Sequence, residues 1–161
     1  MVLDKDFKEF IELLNVHKVE YLVIGGYAVN YHGYPRYTKD IDFWIWLAKE
    51  NIDRLLQVIH VFGFGSLGLQ ADDLLNPNNV IQLGHEPYRI DLLTDVTGAD
   101  FKDCYQRKSS VTVDEIRVDF LGLNDLIEVK RKAGRLQDLA DAQQLEKIKS
   151  KNKKGKRKND T

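Results

Sequence analysis

The stretch that decides the fold runs from Val19 to Leu47 and reads VEYLVIGGYAVNYHGYPRYTKDIDFWIWL. It begins with a short apolar run that ends at Gly25 and Gly26. A segment with helical spacing and a Gly/Pro loop follow, and a second apolar run then starts with Asp-Ile-Asp at positions 40–42. Short apolar runs bounded by glycine are typical of strands. The stretch therefore predicts a strand, a tight turn into a short helix, and a second strand that carries two acids.

The two acids, Asp40 and Asp42, are predicted to point to the same side of the second strand, because side chains alternate between the faces of a sheet. Placing two like charges together is costly unless a cation lies between them. Oxygen ligands favour hard cations, so Mg²⁺ is the first candidate and Mn²⁺ the second. The pair alone is also compatible with a solvated strand face.

A third acid, Asp91, lies in the apolar run RIDLL at positions 89–93. If this strand neighbours the one that carries Asp40 and Asp42, three carboxylates converge and could hold two divalent ions. Such a pair of ions stabilises the attacking and leaving oxygens in phosphoryl or nucleotidyl transfer. Asp91 is also the natural group to accept the proton of an acceptor hydroxyl. We therefore predict that these three acids are catalytic residues and metal ligands.

The glycine pair predicts the phosphate side of the same site. Without side chains, Gly25 and Gly26 let the backbone approach a phosphate, and the helix that follows offers free N–H groups. Arg36 and Lys39 lie just before the acids and could neutralise a triphosphate or the leaving pyrophosphate. A glycine pair after a strand is by itself most often a turn, so the prediction depends on the combination of features.

The rest of the chain predicts a mixed sheet covered by helices, an α/β (α+β) fold. Asn124 is the predicted N-cap of a helix that ends before Gly134. In the final helix, Leu139, Leu145 and Ile148 are predicted to face inward. Further helices are predicted over 4–14, 50–61, 71–75, 99–106 and 136–148, and further strands over 80–83, 88–93, 110–113 and 116–120.

The charges are distributed unevenly along the 161 residues. The segment 147–161 holds 8 of the 24 basic residues and one of the 25 acidic residues, which leaves 16 basic and 24 acidic residues before it. The chain thus divides into a single domain of residues 1–146 with a net charge near −8 and a tail near +7. Low hydrophobicity predicts that the tail is disordered. It could serve solubility or bind RNA or another polyanion.

Two observations bear on the compartment. The single cysteine, Cys104, excludes an internal disulfide framework and a cysteine-rich zinc site. The charged N-terminal segment does not resemble a secretion signal, and no apolar run approaches the ~20 residues that cross a bilayer. We therefore predict a cytoplasmic protein with no membrane association.

The spacing of Gly25-Gly26, thirteen intervening residues, Asp-Ile-Asp at 40–42 and a later Asp91 resembles the polymerase-beta-type nucleotidyltransferases. The closer resemblance is to the small bacterial nucleotidyltransferases of the abortive-infection and toxin–antitoxin kind. It is carried by VIGGYAVNYHGYPRYTKDID, by the Asp91 strand and by LNDLIEVKRKAGRLQDLADAQQL at 123–145. The resemblance implies a minimal nucleotidyltransferase fold, with a mixed sheet, helices packed on one face and the acids on the other.

The resemblance also implies a reaction and roles for the residues. A nucleoside monophosphate would pass from an NTP to an acceptor hydroxyl in a Mg²⁺-dependent step, with release of pyrophosphate. The acids would bind metal, and Gly25 and Gly26 would form the phosphate turn. Lys130 and Arg135 of the Lys-x-x-Ala-Gly-Arg-x-x-Asp-x-x-Asp pattern would reach the nucleotide, although Arg135 could instead pair with Asp138. Many members have Gly-Ser where this chain has Gly-Gly, so position 26 offers no hydroxyl.

The sequence leaves the acceptor and the partners open. The acceptor could be an RNA end, a protein hydroxyl or a small molecule, and a cognate toxin or antitoxin chain could be a partner. The alternative function is a catalytically inactive module that uses the same fold to bind a protein or RNA. A phosphohydrolase that uses the same metals is a third possibility.

Overall fold

The computed structural model describes residues 1–77 and 79–159 of the chain. Within them, strands and helices follow one another in a mixed order. The strands are β1 (Tyr21–Ile24), β2 (Ile41–Ile45), β3 (Val80–Leu83), β4 (Ile90–Leu93), β5 (Ser109–Val113) and β6 (Ile116–Phe120). The α-helices are α1 (Lys5–Val16), α2 (Gly25–Tyr31), α3 (Lys49–Ile59), α4 (Ala71–Leu75), α5 (Phe101–Gln106), α6 (Leu123–Ala133) and α7 (Leu136–Asn159).

The six strands form one mixed sheet in the order β3-β4-β2-β1-β6-β5. β1 pairs antiparallel with β2 and parallel with β6, whereas β2 pairs parallel with β4. The antiparallel pairs β3–β4 and β5–β6 complete the two sides of the sheet. The segment 19–47 therefore supplies the two central strands, and the predicted fold class is confirmed.

The two faces of β2 contact different helices. Phe43 packs against Phe10 of α1 and Tyr21 of β1, with ring centroids 5.4 and 5.7 Å apart. On the opposite face, Trp44 packs against Phe101 at the start of α5, with ring centroids 5.2 Å apart. Helices therefore cover part of the second face in addition to the one that the sequence predicts.

The ends of α6 show one correct and one wrong prediction. Gly134 ends the helix with a φ of 73°, and its N–H donates to the carbonyl oxygen of Lys130, as predicted. Asn124 is not the N-cap, because the helix begins at Leu123 and Gly122 precedes it. A Cβ at Gly122 would lie 2.7 Å from a backbone carbonyl oxygen, so the chain needs glycine where it enters the helix.

α7 packs largely by the predicted face, since Leu145 is buried and Ile148 packs against the core. Ala142 and Leu145 are buried, whereas Leu139 is 47 % exposed and was wrongly predicted to face inward. The helix continues through the basic segment as far as Asn159, and residues 151–155 are all exposed. Residues 160 and 161 lie outside the described residues. The division into a domain of residues 1–146 and a disordered tail stays a prediction.

No helix in the described part of the chain is long and apolar enough to cross a membrane. The cytoplasmic location stays a prediction.

Candidate active site

Asp42 and Asp91 lie side by side on the parallel strands β2 and β4. The strand register pairs Asp42 with Asp91 directly, so both carboxylates lie on the same face of the sheet. Asp40 directly precedes β2, and the guanidinium of Arg89 contacts both its carboxylate and that of Asp91. The structure therefore brings together three acids that are up to 51 positions apart in the sequence.

The positive charge near the three acids compensates them only in part. Burial, followed by the Coulomb repulsion of Asp91 and a hydrogen bond with it, raises the pKa of Asp42 to about 7. Burial also raises the pKa of Asp40, against the opposing effect of Arg89. Oδ1 of Asp40 is buried and has no hydrogen-bond partner. An unpartnered carboxylate oxygen beside a second carboxylate that is difficult to ionise is an environment that fits a divalent cation.

Arg89 is the positive charge that the structure places among these acids. Its Nε donates to Oδ1 of Asp91 at 2.7 Å, and its Nη2 donates to Oδ2 of Asp40 at 2.8 Å and to Oδ2 of Asp91 at 3.1 Å. With the side chains in these positions, the described residues contain no group of three acids, histidines or cysteines that could hold a metal ion. The i, i+2 spacing of Arg89 and Asp91 is the sequence signal that indicates this pairing.

The glycine turn places bare backbone against the acids. Gly25 has a φ of +69°, and a side chain there would collide with the carboxylate of Asp42. A Cβ at Gly26 would lie 2.6 Å from Oγ1 and 2.8 Å from Cβ of Thr38. The side chain of Thr38 therefore fills the space that a side chain at position 26 would need. Both glycines are required by the close packing of this corner.

We expect Gly26→Ala to destabilise the fold by about 1–3 kcal/mol, because the new methyl group overlaps Thr38. Combining it with Thr38→Gly removes the overlap and should restore most of the loss. Gly155→Ala is the control, since nothing lies within 4 Å of a Cβ there. The measurement is the free energy of unfolding in urea. A Gly26→Ala protein as stable as the unmodified chain would contradict the described packing.

Basic side chains line a cleft of about 480 Å³ beside the acids. The volume lies within the range of small-molecule sites. Asp91 is 8 % exposed and lies next to the cleft, beside Asp42. All the other predicted site residues line the cleft directly: Gly25, Gly26, Arg36, Lys39, Asp40, Asp42, Lys130 and Arg135.

Lys130 is held in the cleft wall by two buried acids of α7. Its Nζ lies 3.3 Å from Oδ1 of Asp138 and 3.1 Å from Oδ2 of Asp141. Arg135 donates from Nε to Oδ2 of Asp138 at 2.7 Å, which is the pairing that the sequence leaves open. Arg36 Nη2 lies 3.2 Å from Oδ2 of Asp141. This network joins the loop before β2, α6 and α7 on one side of the cleft.

The fold is that of the nucleotidyltransferases. TM1012 from Thermotoga maritima, assigned to the nucleotidyltransferases, is similar with a TM-score of 0.57 and 16% identity over 90% of this chain and 91% of that chain. The lincosamide antibiotic adenylyltransferase LnuA, solved with lincomycin bound, is similar with a TM-score of 0.55 and 14% identity over 91% of this chain and 98% of that chain. An antigenic nucleotidyltransferase-like protein from Paracoccidioides brasiliensis is similar with a TM-score of 0.51 and 13% identity over 89% of this chain and 74% of that chain.

The sequence itself supplies the family. The chain belongs to the family described as nucleotidyl transferase of unknown function (DUF2204), whose profile matches residues 4–161. No curated protein matches the sequence. The predicted membership of the nucleotidyltransferase superfamily is therefore confirmed, and with it the class of enzyme.

Proposed function

We propose that the protein transfers a nucleoside monophosphate from an NTP to an acceptor hydroxyl and releases pyrophosphate. The observation that carries this proposal is the direct pairing of Asp42 with Asp91 beside the glycine turn, in a cleft whose other wall is basic. The acidic side suits a divalent cation, and the basic side suits a triphosphate. A cleft with both properties next to each other is the arrangement that nucleotidyl transfer requires.

Mg²⁺ or Mn²⁺ would be held within the acidic cluster of Asp40, Asp42 and Asp91, of which Asp40 and Asp42 line the cleft. The unpartnered Oδ1 of Asp40 and the raised pKa of Asp42 support this assignment. When bound, the ion supplies positive charge to the phosphate oxygens and orients the triphosphate. Hard carboxylate oxygens favour these two metals over softer ones.

The triphosphate would lie along the glycine turn and the basic wall. The backbone at Gly25 and Gly26 can approach a phosphate closely because no side chain intervenes. The hydroxyl of Thr38 lies over Gly26 and donates to the carbonyl oxygen of Asp40 at 3.2 Å, a long bond for a hydroxyl donor. This hydroxyl can turn towards a phosphate and would replace the one that position 26 lacks. Arg36, Lys39, Lys130 and Arg135 would supply positive charge.

The chemical step forms one bond and breaks one. The acceptor oxygen forms a bond to the α-phosphorus, and the bond from that phosphorus to the oxygen bridging to the β-phosphorus breaks. Pyrophosphate leaves with the bonding electrons. The proton of the acceptor hydroxyl would pass to the carboxylate of Asp91, which pairs with Asp42 in the strand register.

The candidate acceptors are an RNA end, a protein hydroxyl and a small molecule. LnuA is described as a lincosamide antibiotic adenylyltransferase, so antibiotics belong among the small molecules to be tested. The resemblance to toxin–antitoxin nucleotidyltransferases makes a cognate partner chain a further acceptor or regulator to test.

The test is incubation of the full chain with each α-labelled NTP, Mg²⁺ and cell extract. We expect label to appear in a nuclease-sensitive, protease-sensitive or small-molecule fraction, which identifies the acceptor class. Asp40→Ala should abolish the transfer, because it removes a carboxylate from the acidic side. Arg117→Ala is the control, since this exposed arginine lies outside the cleft.

Two outcomes would contradict nucleotidyl transfer. Release of phosphate from a γ-labelled NTP with no labelled acceptor indicates a phosphohydrolase. Binding of a partner that is the same in the unmodified chain and in Asp40→Ala, with no transfer of label, indicates an inactive binding module.

A further inference from the structure

Arg89 occupies one specific part of the acidic cluster. Its guanidinium engages both oxygens of Asp91 and one oxygen of Asp40, at distances between 2.7 and 3.1 Å. A third nitrogen, Nη1, lies 3.4 Å from Oε1 of Glu86. The side chain of Arg89 is 23 % exposed, so these contacts form in a partly desolvated place. Charge-assisted contacts of this geometry are among the strongest hydrogen bonds in proteins.

The guanidinium leaves the other part of the cluster free. Oδ1 of Asp40 is buried without a hydrogen-bond partner, and the carboxylate of Asp42 lies beside that of Asp91 in the strand register. The described contacts of Arg89 therefore leave Oδ1 of Asp40 and the carboxylate of Asp42 without a guanidinium partner, and both residues line the cleft. The space between Asp40 and Asp91 already contains a cation.

The balance of charge agrees with this division. With a divalent ion bound, three ionised carboxylates carry three negative charges, which one guanidinium and that ion neutralise. A second divalent ion would need the same oxygens of Asp40 and Asp91 that Arg89 binds. It would also be repelled by the guanidinium, and at a few ångströms in a partly buried site this repulsion is strong.

We propose that Arg89 is a built-in counter-ion that takes the place of one metal ion, so that the site binds a single divalent ion at Asp40 and Asp42. This inference rests on the proposed function and deepens it, because it assigns a positioning role to Arg89. While Arg89 is bound between Asp40 and Asp91, the chain loads one ion. A second ion binds only when the guanidinium is removed.

The experiment counts Mn²⁺ ions bound to the full chain by electron paramagnetic resonance of free Mn²⁺ and by calorimetry. We expect one ion per chain for the unmodified protein and for Arg89→Lys, which keeps the charge. Arg89→Ala and Arg89→Gln should bind a second ion, and should bind the first at least about tenfold more tightly. Arg89→Gln keeps hydrogen-bond donors, so it tests the charge even if the alanine variant does not fold.

Arg107→Ala is the matched control. Arg107 also binds an aspartate through two nitrogens, Nε to Oδ2 and Nη2 to Oδ1 of Asp125, each at 3.0 Å, but it does not line the cleft. Its removal should leave the number and affinity of bound ions unchanged. If Arg89 had only a structural role, its variants would also keep the number and affinity of bound ions, and only their stability would change.

Each contrary outcome has a separate meaning. Two ions bound by the unmodified chain, or the same count in Arg89→Gln as in the unmodified chain, overturns the assignment of Arg89. If Asp42→Asn still loses Mn²⁺ binding in that case, the proposed function survives. Absence of any Mn²⁺ binding and of any transfer of label overturns both proposals.

Discussion

Asp42→Asn should abolish nucleotidyl transfer and at the same time make the fold more stable. The loss of activity should reach about 10³-fold or more, because in the proposed function this carboxylate holds the metal ion that would neutralise charge on the reacting phosphates. The gain in stability follows from the pKa of Asp42, which burial and the neighbouring Asp91 raise to about 7. A shift of this size corresponds to about 2–4 kcal/mol at neutral pH, or about 5–10 °C in melting temperature.

The pH dependence gives the sign of this effect. The pKa of Asp42 is higher in the folded chain than the ordinary value of 3.8, so the folded state binds the proton more tightly than the unfolded state. Below about pH 4 the carboxyl is protonated in both states and the variant has no advantage. As the pH rises from about 4 to 7, the unmodified chain loses stability and the advantage of Asp42→Asn grows.

Thermal unfolding at several pH values, with and without Mg²⁺, measures both the pH dependence of stability and the stabilisation by the metal ion. Mg²⁺ should raise the melting temperature of the unmodified chain and leave that of Asp42→Asn unchanged. Asp53→Asn, an exposed acid of α3, is the control and should change neither activity nor the pH profile. An Asp42→Asn protein that is less stable than the unmodified chain at pH 7 would contradict the crowding of these acids.

Lys130→Met should cost about 3 kcal/mol of stability, because it removes the central cation of a buried ion-pair network. The loss should lie at the lower end of the range for buried pairs, since Arg135 still contacts Asp138 and Arg36 still contacts Asp141. Lys130 is 7 % exposed, and its two partners Asp138 and Asp141 are 2 % and 0 % exposed. Burial acts to raise the pKa of Asp138, but the neighbouring Arg135 and Lys130 outweigh it and lower the pKa. Methionine keeps the length of the side chain, so the loss reports the charge rather than a cavity.

The control for this prediction lies two residues further along α6. Lys132 is exposed and donates from Nζ to the carbonyl oxygen of Gly98 at 2.6 Å. We expect Lys132→Met to cost less than about 1 kcal/mol, as exposed polar contacts do. Urea denaturation of both variants gives the comparison. Equal losses for the two lysines would show that the buried network contributes little.

The sequence predicts the elements of this fold well where hydrophobic spacing is strong. The strands on either side of the glycine turn, the short helix at 71–75 and the hairpin at 109–120 all occur. The three acids could be grouped in advance because each lies in or next to an apolar, β-rich run, and the strand register then places Asp42 beside Asp91. Gly134 could be predicted as a helix terminator because few other residues accept its positive φ.

The parts that failed depend on contacts between distant segments. Leu139 was expected to be buried, but the inward side of α7 is used by Asp138 and Asp141, which pair with Lys130. A hydrophobic pattern predicts that leucine is buried in preference to aspartate. Here the two aspartates are buried instead because Lys130 of α6 pairs with them. Arg89 is a similar case, since its contact with Asp40 crosses 49 positions of the sequence.

Asp42 and Asp91 occupy paired positions on adjacent strands, and this has a consequence for engineering. Their backbone separation is set by the spacing of the ladder, about 4.8 Å, and by no loop. The segments 32–35 and 84–88, which lie outside the residues assigned to metal and phosphate, can therefore be redesigned or lengthened to accept new hydroxyl compounds while the proposed catalytic carboxylates of the strands keep their positions. Directed evolution of this scaffold should alter selectivity more readily than chemistry.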